Sequence, residues 1–159
     1  MEIHNIDPVF DENSRILILG SFPSVKSREA KFFYGHPQNR FWKVISALFN
    51  EKCPETIDEK KRLLLSHHIA VWDAIKSCEI TGSSDSSIKN AVPNDFTEIF
   101  KMADIKAVFA NGTAAYNMYK KYCNTGFDAV KLPSTSPANA AYSLDRLIKE
   151  WKIILGVIS

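Results

Sequence analysis

Few cysteines occur in this sequence, and their spacing excludes the usual ways in which cysteine stabilises a small fold. Cys53, Cys78 and Cys123 lie far apart and form no C-x-x-C pair. A disulfide framework and a zinc or iron–sulfur site therefore lack support, so we expect no metal and no other cofactor. Three reduced thiols suit a cytoplasmic protein.

Long apolar runs are lacking as well, and so is a strong charge of one sign. No segment approaches the roughly 20 apolar residues that cross a bilayer, and no basic-then-apolar leader opens the chain. We therefore expect a soluble protein without a membrane partner. A net charge of +2 does not by itself indicate nucleic-acid binding. The 45% of hydrophobic residues predicts a single domain over residues 1–159 with its own core.

Four short apolar runs predict the buried strands of that core. They lie at residues 15–20, 69–73, 105–110 and 128–132. Sequence of helical period separates each run from the next. This alternation indicates a mostly parallel sheet of four strands covered by helices.

Apolar residues at helical spacing predict the covering layers. The helices are predicted at residues 39–49, 55–66, 113–122 and 140–151. Asn94 is predicted to be the N-cap of a shorter helix that ends near Met102. The serine-rich residues 77–90 are predicted to form a loop.

Ligands of parallel sheets bind at the carboxyl ends of the strands, where loops and helix N-termini gather. Two of the four segments selected by this rule are residues 20–39 and 133–139. The other two are the pairs Trp72-Asp73 and Asn111-Gly112. We expect any functional site to be assembled from these segments.

The turn after the first strand reads Gly20-Ser21-Phe22-Pro23-Ser24. Its glycine and proline allow a tight turn and close approach of the backbone to a ligand. An ordinary strand-to-loop turn would have the same composition, so both readings stay open. The segment does not match the phosphate-binding motifs G-x-x-x-x-G-K-[ST] and G-x-G-x-x-G. It does not match the G-x-S-x-G elbow of hydrolases either.

Residues 33–42, which read FYGHPQNRFW, alternate aromatic and polar side chains with chain breakers. Aromatic rings near strand ends can stack on a planar ligand such as a nucleobase, a contact worth roughly 1–3 kcal/mol. Asn39 stands at the start of a predicted helix. Its amide either caps the helix backbone or faces the ligand, and the sequence leaves both readings open.

Residues 132–140, which read LPSTSPANA, join the last strand to the last helix. Pro137 is predicted to be a first helical residue, with Ser136 open to being a simple N-cap. Hydroxyl groups and backbone N–H groups at a helix N-terminus can bind an anion such as a DNA phosphate.

Together these three segments resemble the uracil-DNA glycosylase superfamily, and most closely its hypoxanthine-DNA (deoxyinosine) glycosylase family. The resemblance covers nearly the whole chain and includes Trp72-Asp73, residues 84–88 and Asn111-Gly112. It implies a three-layer αβα sandwich around a central four-stranded, mostly parallel sheet. It also implies a monomer that acts on DNA containing a deaminated base.

Two departures from the wider superfamily bear on mechanism. Many members carry an Asp or Asn that activates water before the proline of the first motif, where this chain has Phe22. Many have a His or Asn in the last motif, where this chain has Ser134. The resemblance therefore assigns the catalytic role to Asn39, which is expected to hold the attacking water.

The same resemblance and the positions at strand ends imply the remaining contacts. The expected base-binding residues are Gly20, Ser21, Phe22, Pro23, Ser24, Tyr34 and Asn111. The expected DNA-binding residues are Ser134, Thr135, Ser136, Ala138 and Asn139. Asp73 and Asp85 are expected to support the pocket. No lysine matches a nucleophile position, which indicates a monofunctional hydrolase.

Two alternatives remain. Residues 34–42 also resemble the mismatch-specific uracil-DNA glycosylases, so uracil opposite guanine is a second candidate substrate. Alternatively, the loss of both usual catalytic groups would leave a nucleic-acid-binding module without catalysis.

Overall fold

A computed structural model describes residues 2–3, 6–80 and 87–158. Its strands are β1 (Glu2–Ile3), β2 (Ile16–Gly20), β3 (Ile69–Asp73), β4 (Ile75–Glu79), β5 (Lys89–Pro93), β6 (Ala107–Asn111) and β7 (Ala129–Leu132). Its helices are α1 (Val25–Ala30), α2 (Phe41–Leu48), α3 (Ile57–Ser66), α4 (Thr97–Met102), α5 (Thr113–Tyr122), α6 (Leu144–Trp151) and α7 (Ile153–Ile158). None of the helices described is long and apolar enough to cross a membrane.

The central sheet has four parallel strands in the order β3-β2-β6-β7. Strand β2 is buried along its whole length because both of its faces are covered, which explains its unbroken run of apolar residues. Ile16 aligns with Ile69 of β3 on one side and with Ala107 of β6 on the other. The four predicted strands and the parallel sheet are confirmed.

Helices cover both faces of this sheet. On one face, Phe41 and Ile45 of α2 and Trp151 of α6 pack with Ile16 and Ile18. The opposite face carries Leu17 and Leu19, which pack with Phe96, Ile99 of α4 and Tyr119 of α5. The predicted three-layer αβα sandwich is therefore confirmed.

The prediction of a loop over residues 77–90 is wrong at both of its ends. Strands β4 and β5 pair antiparallel and, with β1, form a second sheet in the order β1-β4-β5. Strand β5 could not be predicted from the sequence because Lys89, Asn90 and Val92 are exposed, which leaves the strand without an apolar pattern. Asp85 and most of the segment 84–88 lie outside the described residues.

Two helices also differ from prediction. Helix α6 begins at Leu144, capped by Ser143, whose hydroxyl accepts from Arg146 N at 3.1 Å. Pro137 was predicted to be a first helical residue, but it lies in a turn seven residues before α6. No helix therefore begins beside the Ser134–Ser136 hydroxyls. The short helix α1 was not predicted at all; Ser24 caps it by accepting from Ser27 N.

Asn94 is not the N-cap of α4. Its side chain is buried and donates to the backbone oxygen of Asp73 at 2.8 Å. The turn before α4 is closed instead by Asp95, whose Oδ1 accepts from Thr97 N at 2.9 Å. Asn94 therefore ties the second sheet to the end of β3.

Candidate active site

A cavity of about 380 Å³ opens where the four parallel strands end. Gly20 of β2, Asp73 of β3 and Asn111 of β6 line it, together with Ser134, which follows β7. This volume lies within the range of roughly 300–1,000 Å³ that small-molecule sites occupy. The position agrees with the rule that parallel sheets bind ligands at their carboxyl ends.

The cavity brings together nearly all of the predicted site residues. The predicted catalytic and base-binding residues that line it are Gly20, Ser21, Phe22, Pro23, Ser24, Tyr34, Asn39 and Asn111. The predicted DNA-binding residues that line it are Ser134, Thr135, Ser136 and Ala138. Asn139 is not among the lining residues; its Nδ2 donates to the backbone oxygen of Ser134 at 3.0 Å, which folds the loop.

Asp73 forms part of the cavity wall itself. Its side chain is buried, and its carboxylate lies so close to Gly20 that a Cβ atom there would be 2.4 Å from Oδ1. Only glycine at residue 20 leaves room for this carboxylate. Asp73 was expected to support the pocket, but its contact with Gly20 could not be predicted from the spacing of the two residues.

Tyr34 joins the aromatic core to the cavity. Its ring stacks on that of Phe41, with centroids 4.1 Å apart, so only its other face can stack on a base. The pKa of the Tyr34 phenol is raised above its ordinary value, mainly by burial and secondly by the negative charge of Asp73. The side chain of Asn111 partly opposes this rise. Tyr34 therefore stays neutral at physiological pH.

Asn39 and Thr135 connect the two loops that the sequence singled out. Asn39 Oδ1 accepts from Phe41 N at 2.9 Å and from Thr135 Oγ1 at 2.8 Å. Thr135 in turn exchanges two hydrogen bonds of 3.0 Å with the side chain of Asn111. Asn39 therefore both closes the turn that precedes α2 and faces the cavity. Thr135 is fully buried, which leaves its side chain no surface to offer a DNA phosphate.

Arg40 holds the second loop in place, a role that the sequence did not reveal. Its guanidinium donates to the backbone oxygens of Ser136 at 3.0 Å, Asn139 at 3.1 Å and Tyr142. Its backbone N–H donates to Thr135 O at 3.0 Å. The side chain and backbone of this one residue thus hold residues 135–142 in place.

Two further contacts shape the cavity rim. Buried Ser27 accepts from Gly35 N at 2.9 Å, which ties α1 to the loop that carries Asn39. Gly112 has a φ of +95°, and a Cβ atom there would lie 2.9 Å from Ser134 Cβ. A side chain at residue 112 would therefore strain the backbone and push the Ser134 loop away.

The described residues hold no group of three or more His, Cys, Asp or Glu side chains that could bind a metal. The titratable side chains among the described lining residues are Tyr34, His36 and Asp73. The chemistry available at this cavity is therefore hydrogen bonding by amides, hydroxyls, one phenol and one imidazole beside a buried carboxylate.

Comparison with known proteins identifies the superfamily to which this chain belongs. Residues 8–154 match the Uracil DNA glycosylase superfamily. Because this match spans nearly the whole chain, the chain belongs to that superfamily and is a DNA glycosylase. The resemblance seen in the three sequence segments is confirmed.

Three individual proteins of known name or structure are similar to this chain over most of its length. The chain is 35% identical over 148 residues to a hypoxanthine DNA glycosylase from Methanosarcina acetivorans, covering 92% of this chain and 93% of that protein. It is 34% identical over 142 residues to a hypoxanthine DNA glycosylase from Methanosarcina barkeri, with coverages of 87% and 89%. A solution NMR structure from Methanosarcina acetivorans, provisionally assigned as a uracil DNA glycosylase, superposes with a TM-score of 0.83 at 31% identity over 99% of both chains.

Proposed function

We propose that this protein removes hypoxanthine from DNA by hydrolysing its N-glycosidic bond. The observation that carries the proposal is Asn39, which lines the cavity while Phe22 stands where an acid or amide would activate water. The two similar hypoxanthine DNA glycosylases support the choice of base. The target nucleotide must leave the stack to reach the cavity, which costs a few kcal/mol and least at a mispair.

The rim of the cavity supplies groups for the flanking DNA backbone. Ser134 Oγ accepts from Ser136 N, and Ser136 Oγ accepts from Ala138 N, both at 3.1 Å. Each hydroxyl proton is therefore available to donate to a phosphate oxygen. Ala138 is exposed at the rim and too small to fill the gap left by a flipped base, which favours activity on single-stranded as well as double-stranded DNA.

The cavity supports a hydrolase without a lyase step. A Schiff base with the sugar requires an amine nucleophile, and no lysine is found among the described residues that line the cavity. The base would leave and water would add, so the product would be an intact strand with an abasic site.

A substrate panel tests the proposal. Single- and double-stranded oligonucleotides with one deoxyinosine, deoxyuridine or deoxyxanthosine are incubated with the protein, and abasic sites are then cleaved with alkali. We expect the fastest cutting at deoxyinosine. Faster cutting at deoxyuridine would favour a mismatch-specific uracil glycosylase, and no cutting of any substrate would favour a binding module without catalysis.

Gly20→Ala tests the contact between β2 and Asp73. The added Cβ must displace the buried Asp73 carboxylate, so we expect deoxyinosine cutting to slow by about tenfold or more. The unfolding free energy should fall by about 1–3 kcal/mol. Gly156→Ala in α7 is the matched control, because a Cβ there meets nothing within 4 Å. An unchanged cutting rate in the Gly20 variant would show that the site does not depend on this carboxylate's position.

A further inference from the structure

Asn39 is held in one orientation, and that orientation determines what its amide can do to a bound base. The backbone N–H of Phe41 lies 2.9 Å from one terminal atom of the Asn39 amide. A backbone N–H is only a donor, so the atom that faces it must be the oxygen Oδ1 and not the nitrogen Nδ2.

The hydroxyl of Thr135 has a defined direction for the same reason. Its backbone N–H donates to Asn111 at 3.0 Å, which identifies the accepting atom as Oδ1 of Asn111. Asn111 Nδ2 then donates to Thr135 Oγ1 at 3.0 Å. Because this bond occupies a lone pair of the hydroxyl, its proton is left to donate to Asn39 Oδ1 at 2.8 Å. Two backbone N–H groups thus fix the direction of the whole chain of bonds.

Both acceptor sites of the Asn39 oxygen are therefore used inside the protein. A carbonyl oxygen has two lone pairs, and Phe41 and Thr135 each engage one of them. No acceptor for Nδ2 is found among the described residues, although Asn39 lines the cavity. Asn39 accordingly offers N–H donors to the cavity, whereas activation of water would require an acceptor.

We propose that Asn39 promotes the reaction by donating a hydrogen bond from Nδ2 to the departing base, with Thr135 and Asn111 as positioning residues. This inference rests on the proposed function. The C1′–N9 bond breaks and its electron pair stays on the base, while a water oxygen bonds to C1′ and releases a proton to solvent. The base then takes up a proton from solvent. A preorganised donor lowers the barrier because negative charge grows on the base as the bond breaks.

Asn39→Asp distinguishes a donor from a group that activates water. One carboxylate oxygen can keep the bonds to Phe41 and Thr135, so the second faces the cavity. When ionised, that oxygen repels the departing base, and when protonated it donates to it. We therefore expect deoxyinosine excision by this variant to be no faster than by Asn39→Ala at neutral pH, and to rise as the pH falls.

The measurement is the single-turnover excision rate of both variants between pH 5 and pH 9, with thermal unfolding to confirm that each is folded. A rate for Asn39→Asp that rises with pH, or that does not depend on pH, would overturn the donor role. Wild-type protein run in parallel separates the two claims. Absence of excision in the wild type contradicts the proposed function, whereas a wrong pH slope in the variant contradicts only the donor role of Asn39.

Thr135 provides a second test that does not depend on the aspartate variant. Thr135→Val keeps the shape but removes the hydroxyl that holds Asn39, so excision should slow by about tenfold. Thr135→Ser keeps the hydroxyl and should stay within a few-fold of wild type. In an Asn39→Ala background the valine substitution should cause no further slowing. Equal additional slowing in both backgrounds would mean that Thr135 does not act through Asn39.

Discussion

Asn39→Ala should slow excision of hypoxanthine by about 100- to 1,000-fold, the cost of removing one preorganised donor from a site of developing negative charge. The side chain lines the cavity and is oriented by Phe41 and Thr135, so its loss removes a donor that is already held in position. Single-turnover excision from a deoxyinosine oligonucleotide measures the effect. Substrate binding should change far less than the rate of the bond-breaking step.

The same substitution also removes the hydrogen bond that closes the turn before α2, and this effect on stability must be separated from the effect on catalysis. Losing the bond to Phe41 N should lower the unfolding free energy by about 0.5–1.5 kcal/mol. Thr56→Ala is the matched control, because Thr56 caps α3 by accepting from Glu59 N at 3.1 Å. It should lose comparable stability and keep full activity. An Asn39→Ala protein that excises as fast as the Thr56→Ala protein would exclude Asn39 from the chemistry.

Arg40→Met should have the largest effect on stability and should also impair the site. The substitution removes charge-assisted hydrogen bonds to three backbone oxygens, each worth about 1.5–3 kcal/mol. Since water recovers part of this, we expect the unfolding free energy to fall by about 3–5 kcal/mol in urea titrations. The loop of residues 135–142 then loses its position, and excision should slow along with it.

Two further variants show whether the geometry or the charge of Arg40 matters. Arg40→Lys keeps the charge but cannot reach three carbonyl groups with one planar fork, so most of the loss should remain. Arg62→Met removes the same charge from an exposed position of α3 and should change stability by no more than about 0.5 kcal/mol. A lysine variant that behaves like wild type would show that Arg40 contributes only its charge.

Strands β2, β3 and β6 of the central sheet could be predicted because they are mostly buried. Residues 16–19 and 69–72 are unbroken apolar runs, and such runs give a strong signal in a single sequence. The second sheet could not be predicted, since Lys89–Pro93 is largely exposed. The start of α6 was misplaced because Pro137 suits both a first helical turn and the irregular turn it occupies.

Most residues that line the cavity were named from the sequence, but the hydrogen bonds that connect them were not. The resemblance of the motifs identified Asn39 and Thr135 as candidate site residues. It could not predict their hydrogen bond, because the two residues lie 96 positions apart in the chain. The direction of the Asn39 amide depends on that bond, so a residue pattern cannot supply it. The same holds for Arg40, whose partners lie 96 to 102 residues along the chain. The contact between Gly20 and Asp73 likewise follows from strand pairing and not from either residue type.

The most direct test of the account is to measure free base and abasic sites together. Excess protein is incubated with a duplex that contains one deoxyinosine, and released hypoxanthine is quantified beside the DNA strand. We predict one hypoxanthine per abasic site and a strand that stays intact until alkali is added. In Asn39→Ala both signals should appear about 100- to 1,000-fold more slowly. Binding of the duplex without release of hypoxanthine, or strand cleavage without alkali, would contradict the account.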